Sequence, residues 1–342
     1  MRIAVDAMGG DDAPREIVAG ALSAARQING LERLFLVGDQ SSIETELKKS
    51  SEPVPYCIEI VHTTEVVGMG EAPATAIRRK KDSSIARAIS LVKEGDADAI
   101  FSAGNTGAAV AAATLMLRTL KGVSRPAIAA VIPTSESPYV LLDAGANPDS
   151  TPEMLQQFAV MGSIYSREIL GVSSPRVGLL SIGEEAAKGN ETTKKGFGLL
   201  EQARLKFVGN VESRDLFSGK VDVAVCDGFV GNVVLKTAES VASMMSTWLK
   251  ELFRISPIRI LGYLLSRAVF REVRRKMDPS CHGGAPLLGA NGVVIIGHGS
   301  SNREAACNGI RVACEAVSHD VNHLIEDALH EINSVTELED GE

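Results

Sequence analysis

Seven short segments rich in glycine and small polar residues carry most of the chemistry legible in this chain. They are Asp6-Ala-Met-Gly-Gly-Asp11, Ser102-Ala-Gly-Asn-Thr-Gly107, Asp143-Ala-Gly-Ala-Asn147, Gly183-Glu-Glu185, Lys188-Gly-Asn190, Asp227-Gly-Phe-Val-Gly-Asn232 and Gly297-His-Gly-Ser-Ser301. Glycine lets a ligand approach the main chain closely, and amides at a helix N-terminus offer preorganised donors with a favourable dipole for an anion. Phosphate is the natural guest. Its candidate contacts are Asp6, Gly9, Gly10, Gly104, Thr106, Gly107, Asp143, Asn147, Asn190, Asp227, Asn232 and Ser300. Taken singly, each segment is as well explained by an ordinary turn and helix N-cap. Convergence of all seven at one rim would favour a ligand. No Walker loop is present, and Gly68-Met-Gly70, the nearest approach to a dinucleotide fingerprint, runs into Pro73, so no nucleotide is expected.

His298 stands between two glycines directly after an apolar run, which would put its ring at the ligand rim. There an imidazole can protonate a leaving thiolate or donate to a developing oxyanion. The Cys281-His282 pair lacks the surroundings of a nucleophile motif, and no GxSxG elbow occurs. His319 and His323 share a helix face without the further ligands a metal needs, so no metal site is expected.

The segments sit where short β-rich runs stop: Ile3 to Asp6, Leu34 to Gly38, Ala99 to Ala103, Val140 to Gly145, Val177 to Gly183, Val221 to Gly228 and Val293 to Gly299. Helical stretches lie between them, at Ser83 to Lys93, Thr106 to Arg118, Glu153 to Leu170 and Arg303 to Ile332. Strand, glycine turn and helix in alternation predict an α/β fold in three layers, a mostly parallel sheet covered on both faces, with ligands at the strands' carboxyl ends. A single catalytic domain over 1–335 is expected, followed by a disordered acidic tail at 336–342.

The 342 residues carry a formal charge of -8, against a general nucleic-acid binder. Five cysteines without CxxC spacing read as reduced thiols of a cytoplasmic protein. Neither a signal-peptide apolar region nor a membrane-spanning helix is expected. One region reverses the overall charge. Between Met244 and Met277, eight basic residues stand against two acidic ones, with leucines, isoleucines and phenylalanines at helical spacing and Pro257 dividing the stretch. The pattern predicts a protruding amphipathic hairpin of two helices over about 240–278. It would either lie on anionic lipid through Leu261, Leu264, Leu265 and Phe270, or cover a subunit interface. A second basic run, Arg78, Arg79, Lys80 and Lys81, is a loop that could dock an acidic partner.

Taken in order, DAMGGD (6–11), SAGNTGA (102–108), LDAGAN (142–147), GEE…KGN (183–190), DGFVGN (227–232) and HGSS (298–301) resemble the bacterial phosphate acyltransferases, also called acyl-ACP:phosphate transacylases, over nearly the whole chain. The resemblance implies a fold similar to phosphotransacetylases and, more distantly, isopropylmalate-type dehydrogenases. It implies reversible conversion of acyl-acyl-carrier-protein and inorganic phosphate into acyl phosphate, passed to a membrane glycerol-3-phosphate acyltransferase in phospholipid synthesis. It also implies a homodimer, cytoplasmic or peripheral to the membrane, and no cofactor. Ser181 stands where the family commonly has Asn, and Ile296 where Lys often precedes the His-Gly pair. The missing lysine places more of the phosphate charge on Lys188 and the arginines. The expected mechanism is direct attack: the Gly104–Gly107 amides with Asn105, Thr106 and Lys188 bind phosphate, and His298 or a glycine-turn amide stabilises the oxyanion. A nicotinamide-dependent dehydrogenase of similar fold and a non-catalytic membrane scaffold remain as alternatives.

Overall fold

A computed structural model describes residues 1–277 and 283–339. The Cys281-His282 pair lies outside the described residues. Eleven strands form one sheet: β1 (Arg2–Asp6), β2 (Arg33–Gly38), β3 (Ile58–His62), β4 (Ala99–Ser102), β5 (Ala127–Ile132), β6 (Tyr139–Leu142), β7 (Arg176–Leu180), β8 (Lys206–Val211), β9 (Val223–Val225), β10 (Ala285–Leu288) and β11 (Val293–Ile296). The first helices are α1 (Arg15–Gln27), α2 (Gln40–Lys48), α3 (Pro73–Arg79), α4 (Ser84–Glu94), α5 (Thr106–Ala112) and α6 (Pro152–Glu168). They are followed by α7 (Glu191–Gln202), α8 (Gly228–Arg254), α9 (Pro257–Leu265), α10 (Arg267–Met277), α11 (Arg303–Ser318) and α12 (Val321–Glu339).

The strand order is β3-β2-β1-β4-β11-β10-β5-β6-β9-β7-β8. Strands β3, β2, β1, β4 and β11 are parallel to one another, as are β6, β9, β7 and β8. Three antiparallel steps join the halves, β11 with β10, β10 with β5 and β5 with β6. An odd number of reversals makes the halves run in opposite directions. The strand ends therefore do not all share the single rim that alternation alone suggests. Strands β5 and β10 escape sequence reading because their runs, AIAAVI and APLL, are dominated by alanine or interrupted by proline, both poor strand signals.

Both faces of the sheet are covered. In β1, Ile3 and Val5 pack with Ile17, Phe101 and Ile310 on the side of α1 and α11, while Ala4 faces Ile89 and Ile100 on the side of α4. In the other half, Val140 and Leu142 meet Phe158 and Met161 of α6 and Ile325 of α12. These continuous apolar runs are what a sheet buried on two sides requires.

Asn105, Asn190, Asp227 and Asn302 follow strand turns and cap α5, α7, α8 and α11 by accepting the amides of Ala108, Thr193, Val230 and Ala305. The stretch expected as one helix from Arg303 to Ile332 is broken at Asp320, whose φ of 49° ends α11. Helix α12 continues to Glu339, beyond residue 336 where a disordered tail was expected to begin.

The basic apolar region is not a two-helix hairpin. Helix α8 starts at the rim of the second half and runs unbroken for 27 residues, about 40 Å, before α9 and α10 fold back at Ser256 and Ser266. Phe253, Tyr263 and Phe270 tie the three helices through ring contacts of 5.0–5.4 Å. The start of α8 is fixed by close packing. A Cβ at Gly231 would lie 1.9 Å from the Asp143 carbonyl oxygen, whereas one at Gly198 in α7 would meet nothing within 4 Å. Gly231→Ala is expected to cost about 1–3 kcal/mol, and Gly198→Ala to be neutral or slightly stabilising. Thermal unfolding of the two variants tests this, and equal Tm values would refute it.

Candidate active site

The structure gathers the predicted site residues into three groups. The first lies where β1, β4 and β11 end side by side. Asp6 is buried, with its Oδ2 accepting the Ser102 hydroxyl at 2.7 Å. Burial pushes its carboxyl above the usual range, opposed by the hydroxyls of Ser84 and Ser102 and the amides of Met8 and Gly9. Gly9 packs on Asp6 and the Gly104 amide so tightly that a Cβ would fall 2.7 Å from each. Gly10, at φ +119°, lies beneath Gly299, and the Asp11 amide donates to the Gly299 carbonyl at 2.7 Å.

Asn105 organises the neighbouring loop. Its Oδ1 accepts the Ala108 amide at 3.0 Å, and its Nδ2 donates to the carbonyls of Met69 (2.9 Å), Gly68 (3.3 Å) and Glu71 (3.3 Å). With that side chain fully engaged, Asn105 acts as a positioning residue rather than a phosphate contact. Gly107 is pressed against the Pro73 ring, and Thr106 is exposed. Glu71, in turn, accepts from Lys80 at 2.5 Å and from the Gly68 amide at 2.7 Å, and Lys80 and that amide hold its carboxyl below the usual range. Sequence reading placed Lys80 in a free basic run. It is instead committed to Glu71 and the Val66 carbonyl, while Arg78 and Arg79 complete α3 and remain exposed, as does Lys81.

The second group surrounds Asp143 at the end of β6. Its carboxylate accepts five N–H bonds, from the amides of Ile128, Gly145, Ala146 and Asn147 and from Asn147 Nδ2, at 2.7–3.0 Å. Burial pushes this carboxyl up while the N–H donors pull it down. Asp227 caps α8, and Asn232, one turn further on, lies over Gly145. Asp143 and Asp227 thus both hold main-chain amides. The third group, at the end of β7, holds the exposed Lys188, packed over Gly183, with Asn190 capping α7. It follows a strand that is directed opposite to β4 and ends at the other edge of the sheet from the turn that carries Gly104–Gly107.

Helix α8 joins the second group to the first. Its Lys236 places Nζ 3.3 Å from His298 Nε2 and 2.8 Å from Glu239 Oε2. On the other side of the exposed ring, Nδ1 lies 2.8 Å from Ser300 Oγ and 3.3 Å from the Ser300 amide. His298 and Ser300 therefore lie at the rim, as their position after an apolar strand predicts. Lys236 was missed. It is one helical turn beyond Asn232, a spacing legible in sequence, but its meeting with His298 depends on where α8 points.

The chain matches structures of one α/β class over nearly its full length. A phosphotransacetylase from Streptococcus pyogenes shares the fold at a TM-score of 0.59 and 19% identity, covering 93% of this chain and 94% of that one. A branched-chain phosphotransacylase from Enterococcus faecalis does so at 0.54 and 15%, covering 93% and 99%. Residues 1–324 match the family described as Fatty acid synthesis protein. Proteins named phosphate acyltransferase are 51% identical in Pelotomaculum thermopropionicum, covering 98% of this chain and 96% of that one, and 53% identical in Desulfitobacterium hafniense, covering 93% and 94%. The chain belongs to this phosphate acyltransferase family.

Asn105→Ala removes a helix cap and a three-carbonyl clamp. It is expected to cost about 1–3 kcal/mol and to increase hydrogen exchange in residues 68–71. Unchanged exchange there would show that another contact holds the loop.

Proposed function

We propose that the protein transfers the acyl group of an acyl-acyl-carrier-protein to inorganic phosphate, and that its product feeds glycerol-3-phosphate acylation in phospholipid synthesis. The observation that carries this reading is the solvent-exposed His298 ring, held between Lys236 and Ser300 where the β1, β4 and β11 turns meet. Family membership supports the acyl and phosphate chemistry.

In the proposed step a hydrogen phosphate oxygen attacks the thioester carbonyl. The new C–O bond forms, the C–S bond breaks, and the phosphate proton ends on the thiol sulfur. His298 Nε2 is the group that carries this proton, with Ser300 orienting the ring from Nδ1. Thiolate is a good leaving group, so positioning and charge stabilisation suffice and no enzyme nucleophile enters the balance. Arg78, Arg79 and Lys81 are exposed and offer an acidic carrier a local attraction that the overall charge of -8 does not.

No described helix is long and apolar enough to cross a membrane. Helix α9 nevertheless buries none of its residues, and Leu261, Leu264 and Leu265 are exposed, as are Trp248 and Leu252 of α8. We assign this surface to the membrane interface, with the flanking arginines toward anionic headgroups, and the remaining exposed length of α8 to a second copy of the chain. Phe270, expected at the lipid surface, packs instead on Phe253 and Tyr263.

Purified protein with palmitoyl-acyl-carrier-protein is expected to release carrier thiol and acyl phosphate only when phosphate is added, followed by mass spectrometry. Release of free fatty acid regardless of phosphate would indicate a thioesterase instead. His298→Ala is expected to lower kcat about 10²- to 10⁴-fold with Tm unchanged, and full turnover would remove His298 from the mechanism. Replacing Leu261 and Leu264 by Glu is expected to cut co-sedimentation with anionic liposomes several-fold. Undiminished binding would assign the α9 face to a subunit contact.

A further inference from the structure

We propose that Lys236 is a substrate-contacting cation, whose ammonium binds the phosphate dianion beside His298 and in doing so leaves the imidazole Nε2 free to take the phosphate proton. The inference rests on the acyl-transfer reading and adds to it the charge that the glycine turns lack.

The path of α8 makes this placement a consequence of packing. Gly228 and Gly231 let the first turn press against the 143–147 turn, with the Gly228 amide donating to the Asn147 carbonyl at 2.8 Å. From there the helix rises about 1.5 Å per residue, carrying Lys236 about 13 Å beyond Asp227, from the end of the second half of the sheet to the rim of the first. Asn232 and Lys236 are four residues apart and share a face, one over Gly145 and the other against His298. The bond to Glu239 restrains the side chain, yet it remains half-exposed and open to a ligand.

The hydrogen-bond inventory then calls for an anion. An ammonium can only donate, so its contact with Nε2 requires a lone pair there. The Ser300 amide likewise donates toward Nδ1. A neutral imidazole has one lone pair in the ring plane, so one of the two donors is left unsatisfied in either tautomer. A phosphate oxygen accepting from Lys236 removes the conflict. Of the carboxylates on this side, Glu239 is already paired with Lys236, and Asp11 lies against Gly299. In the Gly104–Gly107 segment, by contrast, Asn105 takes the Ala108 amide and Gly107 lies against the Pro73 ring.

The test compares wild type with Lys236→Met and Lys236→Arg in two assays: phosphate binding by ³¹P NMR titration without acyl donor, and steady-state turnover with each substrate varied. Lys236→Met is expected to weaken phosphate binding and raise its KM about ten- to a hundredfold, with the acyl-carrier KM within about twofold and Lys236→Arg recovering part of the loss. Phosphate affinity unchanged in Lys236→Met overturns the proposal. Equal worsening of both substrate constants, with a lowered Tm and no recovery by arginine, also overturns it and makes Lys236 a pin for α8. Lys236-dependent phosphate binding in a wild-type protein that forms no acyl phosphate upholds the anion site while refuting the acyl-transfer reading.

Discussion

The carboxylate of Asp143 is the point from which the two halves of this protein are aligned. It is fully buried and gathers five N–H donors at the end of β6, bending residues 143–147 into a compact turn. An ionisable group buried without a cation survives only when such donors replace its lost hydration. The turn it builds is the surface on which Gly228 and Gly231 rest, and that contact sets the direction of α8. Removing these donors would leave an unsatisfied charge in the interior and release the helix that reaches the His298 rim.

Sheet polarity gives α8 its importance. Two parallel half-sheets with opposite directions present their ligand-facing ends at different edges, so a site drawing on both requires an element that crosses between them. Helix α8 does this because the crossover after β9 carries it back toward the rim formed by β1, β4 and β11. The same helix continues outward to the exposed aromatic and aliphatic surface shared with α9 and α10. One continuous helix thus carries both Lys236 and that exposed surface.

Several features were decided by sequence alone. Asp6, Asn105, Asp143 and Asp227 stand at the ends of apolar runs, and each organises a turn or caps a helix as its residue type and position dictate. His298 at the rim follows from the apolar run before it, and the three-layer α/β class follows from alternation. Those inferences hold because capping and strand burial are local, governed by neighbours within a few residues.

Tertiary structure decided the rest. Whether small polar segments converge depends on strand direction, and direction turned on β5 and β10, whose alanine- and proline-containing runs carry little strand signal. Lys188 and Asn105 were expected together, yet the reversal between half-sheets separates the strands that carry them. Lys80 looked like one of four free cations until Glu71, nine residues earlier, folded back onto it. Lys236 meets His298 across 62 residues only because a glycine-packed turn aims a long helix. Residue type determined what each group could do; close packing over long sequence separations determined which groups would do it together.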